Sequence, residues 1–230
     1  MIETNTAPTR SKLSLKGSSK IVSEFFEYSI NRYGFVLIVT ITLKKTSILF
    51  QRGVYPADDF KVVKKYGLNM LVTADVEVKA YIQKIIEQLH KWIEEGKISK
   101  LVIVIISKDT LEVLERWEFD VQIFNNDSKE ENKLTNQKHS IVVEKSEKEI
   151  NTEIQAIIRQ ITASVTFLPQ LEGRCTFNVL VYTDSNSEVP DEWGDSDARE
   201  INNAEQVKLR SFHTDIHKVD LQVAYKLADD

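Results

Sequence analysis

The chain has 230 residues, a formal net charge of −5, 42% hydrophobic residues and 28% charged residues. This length suits one large domain or two small ones, and the apolar fraction is sufficient for a hydrophobic core. Because the sequence shows neither a basic excess nor a basic stripe, its composition argues against nucleic-acid binding.

Cysteine content and hydropathy indicate the compartment. The single cysteine, Cys175, excludes an intramolecular disulfide and favours a reducing environment. It lies in an apolar alternating stretch, so we expect it to be buried in the core rather than to act as a nucleophile. The N-terminus lacks a signal-peptide core, and the longest apolar run, Phe35 to Leu43, is far short of the roughly 20 residues that cross a bilayer. The sequence therefore predicts a soluble intracellular protein without membrane contacts.

The N-terminal part of the chain predicts a helix followed by a hairpin. The alternation Leu13-Ser-Leu15 could form a short edge strand, and Ser18 or Ser19 could cap a helix that follows. Phe60 to Thr73 alternates around Tyr66-Gly67 and predicts a β-hairpin.

Two further helices carry clear apolar stripes. The first follows a possible cap at Asp75 and ends at Gly96, and the second runs from Glu147 to Ala163. Their apolar residues recur every three or four positions: Tyr81, Ile82, Ile85, Ile86, Leu89, Trp92 and Ile93, then Ile150, Ile154, Ile157, Ile158 and Ile161.

The remaining pattern is that of strands. Lys100 to Ser107 is nearly all apolar and predicts a central strand, and Val113 to Phe124 alternates and should pair back on it. After a polar loop at Asn125 to Glu144, Arg174 to Thr183 predicts a strong strand, and Val207 to Ala228 two short ones. These elements predict one α+β domain with helices packed on a mostly antiparallel sheet.

Motifs for catalysis or metal binding are not evident. The seven glycines are too scattered for a phosphate loop, and no nucleophile elbow or zinc signature is present. His213 and His217 are four residues apart but lack a third ligand, and the acidic clusters at Asp58-Asp59 and Asp191 to Asp197 read as solvated loops. We therefore expect no enzyme, no metal and no cofactor, with an enzyme of unrecognised type kept as an alternative.

Four segments together resemble one protein family. They are SKIVSEFFEYSIN with SILFQRGVYP, KYGLNMLVT, LERWEFD, and IRQITASVTFLPQLE followed by VKLRSFHTDIHKVDLQVAYKL. These runs resemble the HORMA-domain proteins, and among them those of the spindle assembly checkpoint. The resemblance implies a flexible N-terminus at residues 1–14 and a HORMA domain at residues 15–230, with three main helices on a mostly antiparallel sheet.

The resemblance further implies a switch between open and closed forms. In the closed form of this family, a mobile C-terminal safety belt crosses the sheet and traps a ligand strand. On this chain the belt corresponds to residues 184–230 and the receiving strand to Cys175 to Thr183. Capture would add a strand to the sheet, with these residues expected to line its side-chain pockets: Val179, Val181, Trp193, Val223 and Tyr225. Because we expect the belt to be peripheral to the core, removing the last ten residues should abolish capture and leave a folded domain.

A dimer of an open copy on a closed copy is also implied. The matching interface positions are Arg159, Gln160 and Phe167. Arg159 follows an isoleucine stripe, so its side chain should point to solvent, where arginine is well suited to anchor an interface.

The implied partners belong to mitosis. They are the kinetochore coiled-coil protein mitotic arrest deficient one, the activator subunit of the anaphase-promoting complex, and other checkpoint complex subunits. Inhibition of the activator would delay anaphase. An AAA+ remodelling ATPase with its adaptor would reopen the closed form. The implied locations are the nucleus, kinetochore, nuclear envelope or pore region, and cytoplasm. The alternative is a HORMA adaptor in translesion DNA synthesis or meiotic axis assembly.

Residues 32–46 depart from the family pattern. In the family, the segment matching SIN runs directly into SILFQRG within one helix, whereas here Arg32 to Thr46 separates them. We hypothesise that this anomalous insertion is a translated intron. The hypothesis fails if cDNA from the source cells retains the corresponding nucleotides.

Overall fold

The computed structural model describes residues 14–30, 60–73, 76–124, 145–164 and 166–227. The insertion at 32–46, the polar loop at 125–144, the acidic pair Asp58-Asp59 and the possible cap Asp75 lie outside these residues. The helices of the described ranges are α1 (Leu15–Ile30), α2 (Val76–Glu94) and α3 (Glu147–Ser164).

Helix α1 begins earlier than the sequence pattern predicts. The Ser14 hydroxyl accepts a hydrogen bond from the Gly17 N–H at 3.1 Å, so Ser14 is the N-cap and Ser18 and Ser19 are buried inside the helix. The strand prediction for Leu13 to Leu15 is wrong at Ser14 and Leu15, and Leu13 lies outside the described residues. An alternation of only three residues is weak evidence for a strand, and here Ser14 and Leu15 belong to the capped start of an amphipathic helix.

The end of α2 and the start of α3 agree with the predictions. Gly96 adopts a left-handed φ of 70°, and the Lys97 N–H donates to the Trp92 carbonyl at 2.8 Å, which ends α2. At the start of α3, the Ser146 N–H donates to the Glu149 carboxylate at 2.7 Å, and the Glu149 N–H returns a bond to the Ser146 hydroxyl at 3.3 Å.

The described residues form two sheets. The first is the predicted hairpin of β1 (Phe60–Lys65) and β2 (Leu68–Thr73), turning at Tyr66 and Gly67, which both have positive φ. The larger sheet contains β3 (Ile98–Ser107), β4 (Val113–Ile123), β5 (Cys175–Thr183), β6 (Glu205–Lys208), β7 (Phe212–His213) and β8 (His217–Tyr225). Its order is β5-β3-β4-β8-β6, with β7 also on β8, and every pair is antiparallel. The predicted α+β architecture is confirmed.

The C-terminal segment forms three strands instead of the predicted two. The Thr214 hydroxyl accepts the His217 N–H at 2.8 Å and closes a tight turn between β7 and β8. Strand β8 lies between β4 and β6, and its residues Val219, Leu221 and Val223 are at most 3% exposed. The expectation that this segment is peripheral to the core was therefore wrong, because β8 contributes an inner strand.

One face of the large sheet, here called the helix face, joins all three helices in a single core. It includes both predicted helix stripes except the half-exposed Tyr81, and Cys175 is buried there as predicted. At the centre, Phe25 and Phe26 of α1 pack on Phe119 of β4 with ring centroids 5.9 and 5.6 Å apart. The opposite face, the outer face, carries a smaller cluster of Val102, Val104 and Leu180.

Candidate peptide-binding edge

Strand β5 is an edge strand of the large sheet. It pairs with β3 on one side, and no strand of the described residues pairs on its other side. The Asp184 N–H donates to the Lys97 carbonyl at 3.0 Å, so the even-numbered residues of β5 direct their backbone groups toward β3. Val179 and Val181 consequently direct theirs outward, where the Val179 N–H donates to the side-chain oxygen of the adjacent Asn178 at 2.9 Å. A strand added here would find backbone partners at alternate residues.

The segment after β5, residues 184–204, is here called the edge loop. Near its start, the Trp92 indole N–H donates to the Glu188 carbonyl at 3.2 Å, and the Trp193 ring packs edge-on against Trp92 with centroids 5.1 Å apart. Further along, the Ala198 carbonyl accepts a hydrogen bond from Arg116 Nε on the outer face at 3.2 Å. The loop thus runs beside the β5 edge, crosses the outer face, and ends at β6 on the opposite edge of the sheet.

A groove separates the edge loop from β5. It consists of two adjoining cavities of about 740 and 390 Å³ that share Val179, Leu180 and residues 193–196. Helix α2 supplies one wall with Tyr81, whose pKa is raised by burial, so the phenol remains a neutral hydrogen-bonding group. The groove is long, partly apolar and bordered by the outward backbone groups of Val179 and Val181, which suits an extended peptide.

Three of the five predicted pocket residues meet at this groove. Val179 and Val181 lie on β5, and Trp193 faces them from the edge loop. Val223 and Tyr225 lie on β8, separated from β5 by β3 and β4, so these five residues do not line a common pocket in this arrangement. Val223 is fully buried against the core as the cross-strand partner of Trp117.

Sequence reasoning missed several groove residues. Asn178 was part of a predicted strand, but only the pairing shows that its side chain covers the outward Val179 N–H. Tyr81 was assigned to the core stripe, yet it is 46% exposed and lies beside Phe177 at 6.1 Å between ring centroids. The one sequence signal for this exposure is that Tyr81 lies at the N-terminal end of the stripe.

The three predicted dimer-interface positions lie close to the C-terminal strands. Arg159 is exposed on α3, which confirms that its side chain points to solvent. The Gln160 side-chain oxygen accepts the Arg210 N–H at 2.7 Å, and the 43% exposed Phe167 packs near Tyr225 with ring centroids 6.5 Å apart. These contacts join the surface around Arg159 to the segment that carries β8. The interface role of the three residues stays a prediction.

His217 is buried between α1 and the start of β8. Its Nδ1 lies 2.5 Å from the Ser18 hydroxyl, which also lies 2.6 Å from the Thr214 hydroxyl. Burial lowers the pKa of His217 to about 4, against a smaller opposing contribution from the Ile93 backbone. The residue is therefore a neutral structural link between the N-terminal helix and the C-terminal strands. In the described ranges, no group of three or more His, Cys, Asp or Glu is placed to hold a metal ion.

This link predicts a pH dependence of stability. The pKa of His217 is lower in the folded state than in the unfolded state, where it is near 6.5. The stability that His217 contributes is therefore fully present above about pH 6.5 and is lost as the pH falls toward 4. Between pH 7 and pH 5, we expect the wild type to lose about 2 kcal/mol more unfolding free energy than His217→Gln, which cannot titrate. Urea denaturation of both proteins at the two pH values measures this. Equal losses would contradict the burial of an uncharged histidine.

Comparison with known proteins agrees with this architecture. The HORMA domain family matches residues 18–217. The mitotic spindle checkpoint component mad2 of Schizosaccharomyces pombe is 56% identical over 223 residues, covering 97% of this chain and 98% of that protein. The human mitotic spindle assembly checkpoint protein MAD2A is 45% identical over 215 residues, covering 94% of this chain and 93% of that protein.

Solved structures give the same result. A chain in a crystal structure of the mitotic checkpoint complex is 54% identical and superposes with a TM-score of 0.74, covering 92% of this chain and 99% of that chain. Caenorhabditis elegans HTP-1 bound to HTP-3 motif-1 shares the fold at a TM-score of 0.70 but only 14% identity, covering 94% of this chain and 93% of that one. The chain belongs to the HORMA-domain family, and within it to the group of mitotic spindle checkpoint proteins named MAD2. None of the described helices is both long and apolar enough to cross a membrane.

Proposed function

We propose that this checkpoint protein is an adaptor that captures an extended peptide as an added strand on the outer edge of β5, beneath the edge loop. The observation that carries this proposal is the outward direction of the Val179 and Val181 backbone groups into a groove closed by that loop. Backbone hydrogen bonds would provide affinity, and the groove side chains would provide selectivity. The chain would act by binding and not by catalysis.

The position of β8 supports a closed state. Because β8 pairs with β4, the edge loop must cross the outer face, and the β5 edge is left available. A bound peptide would lie between β5 and the loop, so its release would require the loop to open. We therefore expect slow dissociation, and we expect an open state in which the C-terminal segment is placed differently.

The proposed partners follow from membership of the checkpoint group. They are mitotic arrest deficient one at the kinetochore, the activator subunit of the anaphase-promoting complex, other subunits of a mitotic checkpoint complex, and a second copy of this chain through Arg159, Gln160 and Phe167. An AAA+ ATPase with its adaptor would reopen the closed state. The corresponding locations are the nucleus, kinetochore, nuclear envelope or pore region, and cytoplasm.

The alternative HORMA functions have less support. Identity to checkpoint proteins is 44–56% across nearly the whole chain, whereas the HTP structures share 13–16% identity and indicate the fold alone. A role in translesion synthesis or meiotic axis assembly would also require different ligands in the same groove.

The test is peptide capture by the purified full chain. Overlapping peptides from the two main proposed partners of the source organism should include one from each that binds, with slow release measured by fluorescence anisotropy. A pull-down from mitotically arrested cells should recover the same proteins. Recovery of polymerase or meiotic axis subunits in their place, or absence of binding by every peptide, would contradict the proposal.

A further inference from the structure

The outer face of the large sheet carries a buried group of charged side chains under the edge loop. Arg116 and Glu118 of β4 are 6% and 4% exposed and form an ion pair. Lys100 of β3 donates to the same Glu118 carboxylate at 2.6 Å. Burial alone would raise the pKa of Glu118, but the Lys100 hydrogen bond and the Arg116 charge hold it below its usual value. The carboxylate therefore stays ionised and fixes the Arg116 side chain.

Arg116 is the member of this group that reaches the edge loop. Its Nε donates to the Ala198 carbonyl at 3.2 Å, while its Nη2 donates to the Tyr182 hydroxyl of β5 at 3.1 Å. One planar guanidinium thus contacts the loop, the peptide-binding strand and the anchoring Glu118 at once. A lysine ammonium carries its charge on one nitrogen and cannot reproduce this planar arrangement of three donor nitrogens.

We propose that Arg116 is a positioning residue that holds the edge loop across the sheet and thereby controls the release of a captured peptide. This inference rests on the proposed function. The tryptophan contacts hold the loop before it crosses the outer face, and the Arg116–Ala198 bond holds it during the crossing. Because the acceptor is a backbone carbonyl, the contact depends on the path of the loop and not on the identity of residue 198.

The same group couples the loop to the placement of β8. Glu118 also accepts a hydrogen bond from Gln222, its cross-strand partner on β8. The full set of partners around Glu118 exists only when β8 pairs with β4. Movement of β8 away from β4 would therefore remove one of the bonds that orient Glu118 and, through it, Arg116. The loop contact would be strongest in the closed arrangement.

The experiment compares Arg116→Lys and Arg116→Gln with the control Lys218→Gln. Lys218 of β8 also forms an outer-face ion pair, with Asp220 at 2.6 Å, but in the described part of the chain no hydrogen bond or ion pair joins it to Glu118 or to the edge loop. Hydrogen–deuterium exchange of the edge-loop amides should be about tenfold faster in both Arg116 variants than in the wild type or the control. Arg116→Lys retains a positive charge beside Glu118, so it tests the loop contact even if Arg116→Gln folds poorly.

Peptide release supplies the second readout. The probe is the tightest-binding peptide found for the wild type among those tiled from the two main proposed partners. Its dissociation should be about ten- to a hundredfold faster from the Arg116 variants, and nearly unchanged from Lys218→Gln. Equal loop exchange in Arg116→Lys and Lys218→Gln would overturn the inference. Failure of every peptide to bind the wild type would overturn the proposed function, and loop exchange would still decide the role of Arg116.

Discussion

A chain that ends at Asp220 should lose peptide capture together with at least about 5 kcal/mol of its free energy of unfolding. The deletion removes Leu221, Val223 and Ala224, which are 3%, 0% and 6% exposed and lie in the second half of β8. Without them, the edge of β4 and the core beneath Trp117 would be exposed to water. The large expected loss follows from the inner position of β8 in the sheet.

The same deletion would release the far end of the edge loop. Within the part of the chain that the structure describes, strand β6 pairs only with the part of β8 that is removed, from Gln222 to Tyr225. The loop would then have no strand to hold it after it crosses the sheet. Peptide capture should fail for this reason even in conditions where the shortened chain remains folded.

A chain that ends at Lys226 is the matched control. It keeps all of β8 and the hydrogen bond from the Lys226 N–H to the Leu114 carbonyl at 3.1 Å, and it loses the half-exposed Leu227. Urea denaturation and peptide binding should be close to those of the full chain. If the chain ending at Asp220 unfolded at the same urea concentration as this control, β8 would not be part of the core.

Local sequence patterns were sufficient for most elements. Helices α2 and α3 and the hairpin around Tyr66-Gly67 lie within a residue or two of their predicted bounds, because periodicity, capping residues and turn residues act over short distances. Val179, Val181 and Trp193, which the family resemblance implied as pocket residues, also lie together at the groove, since they belong to β5 and to the edge loop that follows it.

The remaining features depend on distant pairing. The hydrogen bond between Ser18 and His217 joins residues 199 positions apart, and no local pattern indicates it. Val223 and Tyr225 alternate like any strand, so their placement required knowledge that β8 pairs with β4. Arg116 alternates along β4 with the apolar Trp117 and would be expected at the surface, but a loop from elsewhere in the chain covers that face and buries the charge.

Substitution of Val181 by proline should weaken peptide capture by about a hundredfold or more, with a small effect on folding. The Val181 N–H points away from β3, so its loss removes no bond within the sheet. The proline ring would replace this outward donor and would occupy the space that an added strand needs. Affinity for a bound peptide, measured by fluorescence anisotropy, reports the effect directly.

Gln206→Pro is the matched control at the opposite edge of the sheet. The Leu209 N–H donates to the Leu221 carbonyl at 2.8 Å, so the odd-numbered residues face β8 and the Gln206 N–H points outward. Both variants therefore remove an outward donor from an edge strand and should have similar thermal stability. Only Val181→Pro should lose affinity, because only the β5 edge lies beneath the loop. Retained affinity in Val181→Pro, or an equal loss in Gln206→Pro, would place the peptide elsewhere than on β5.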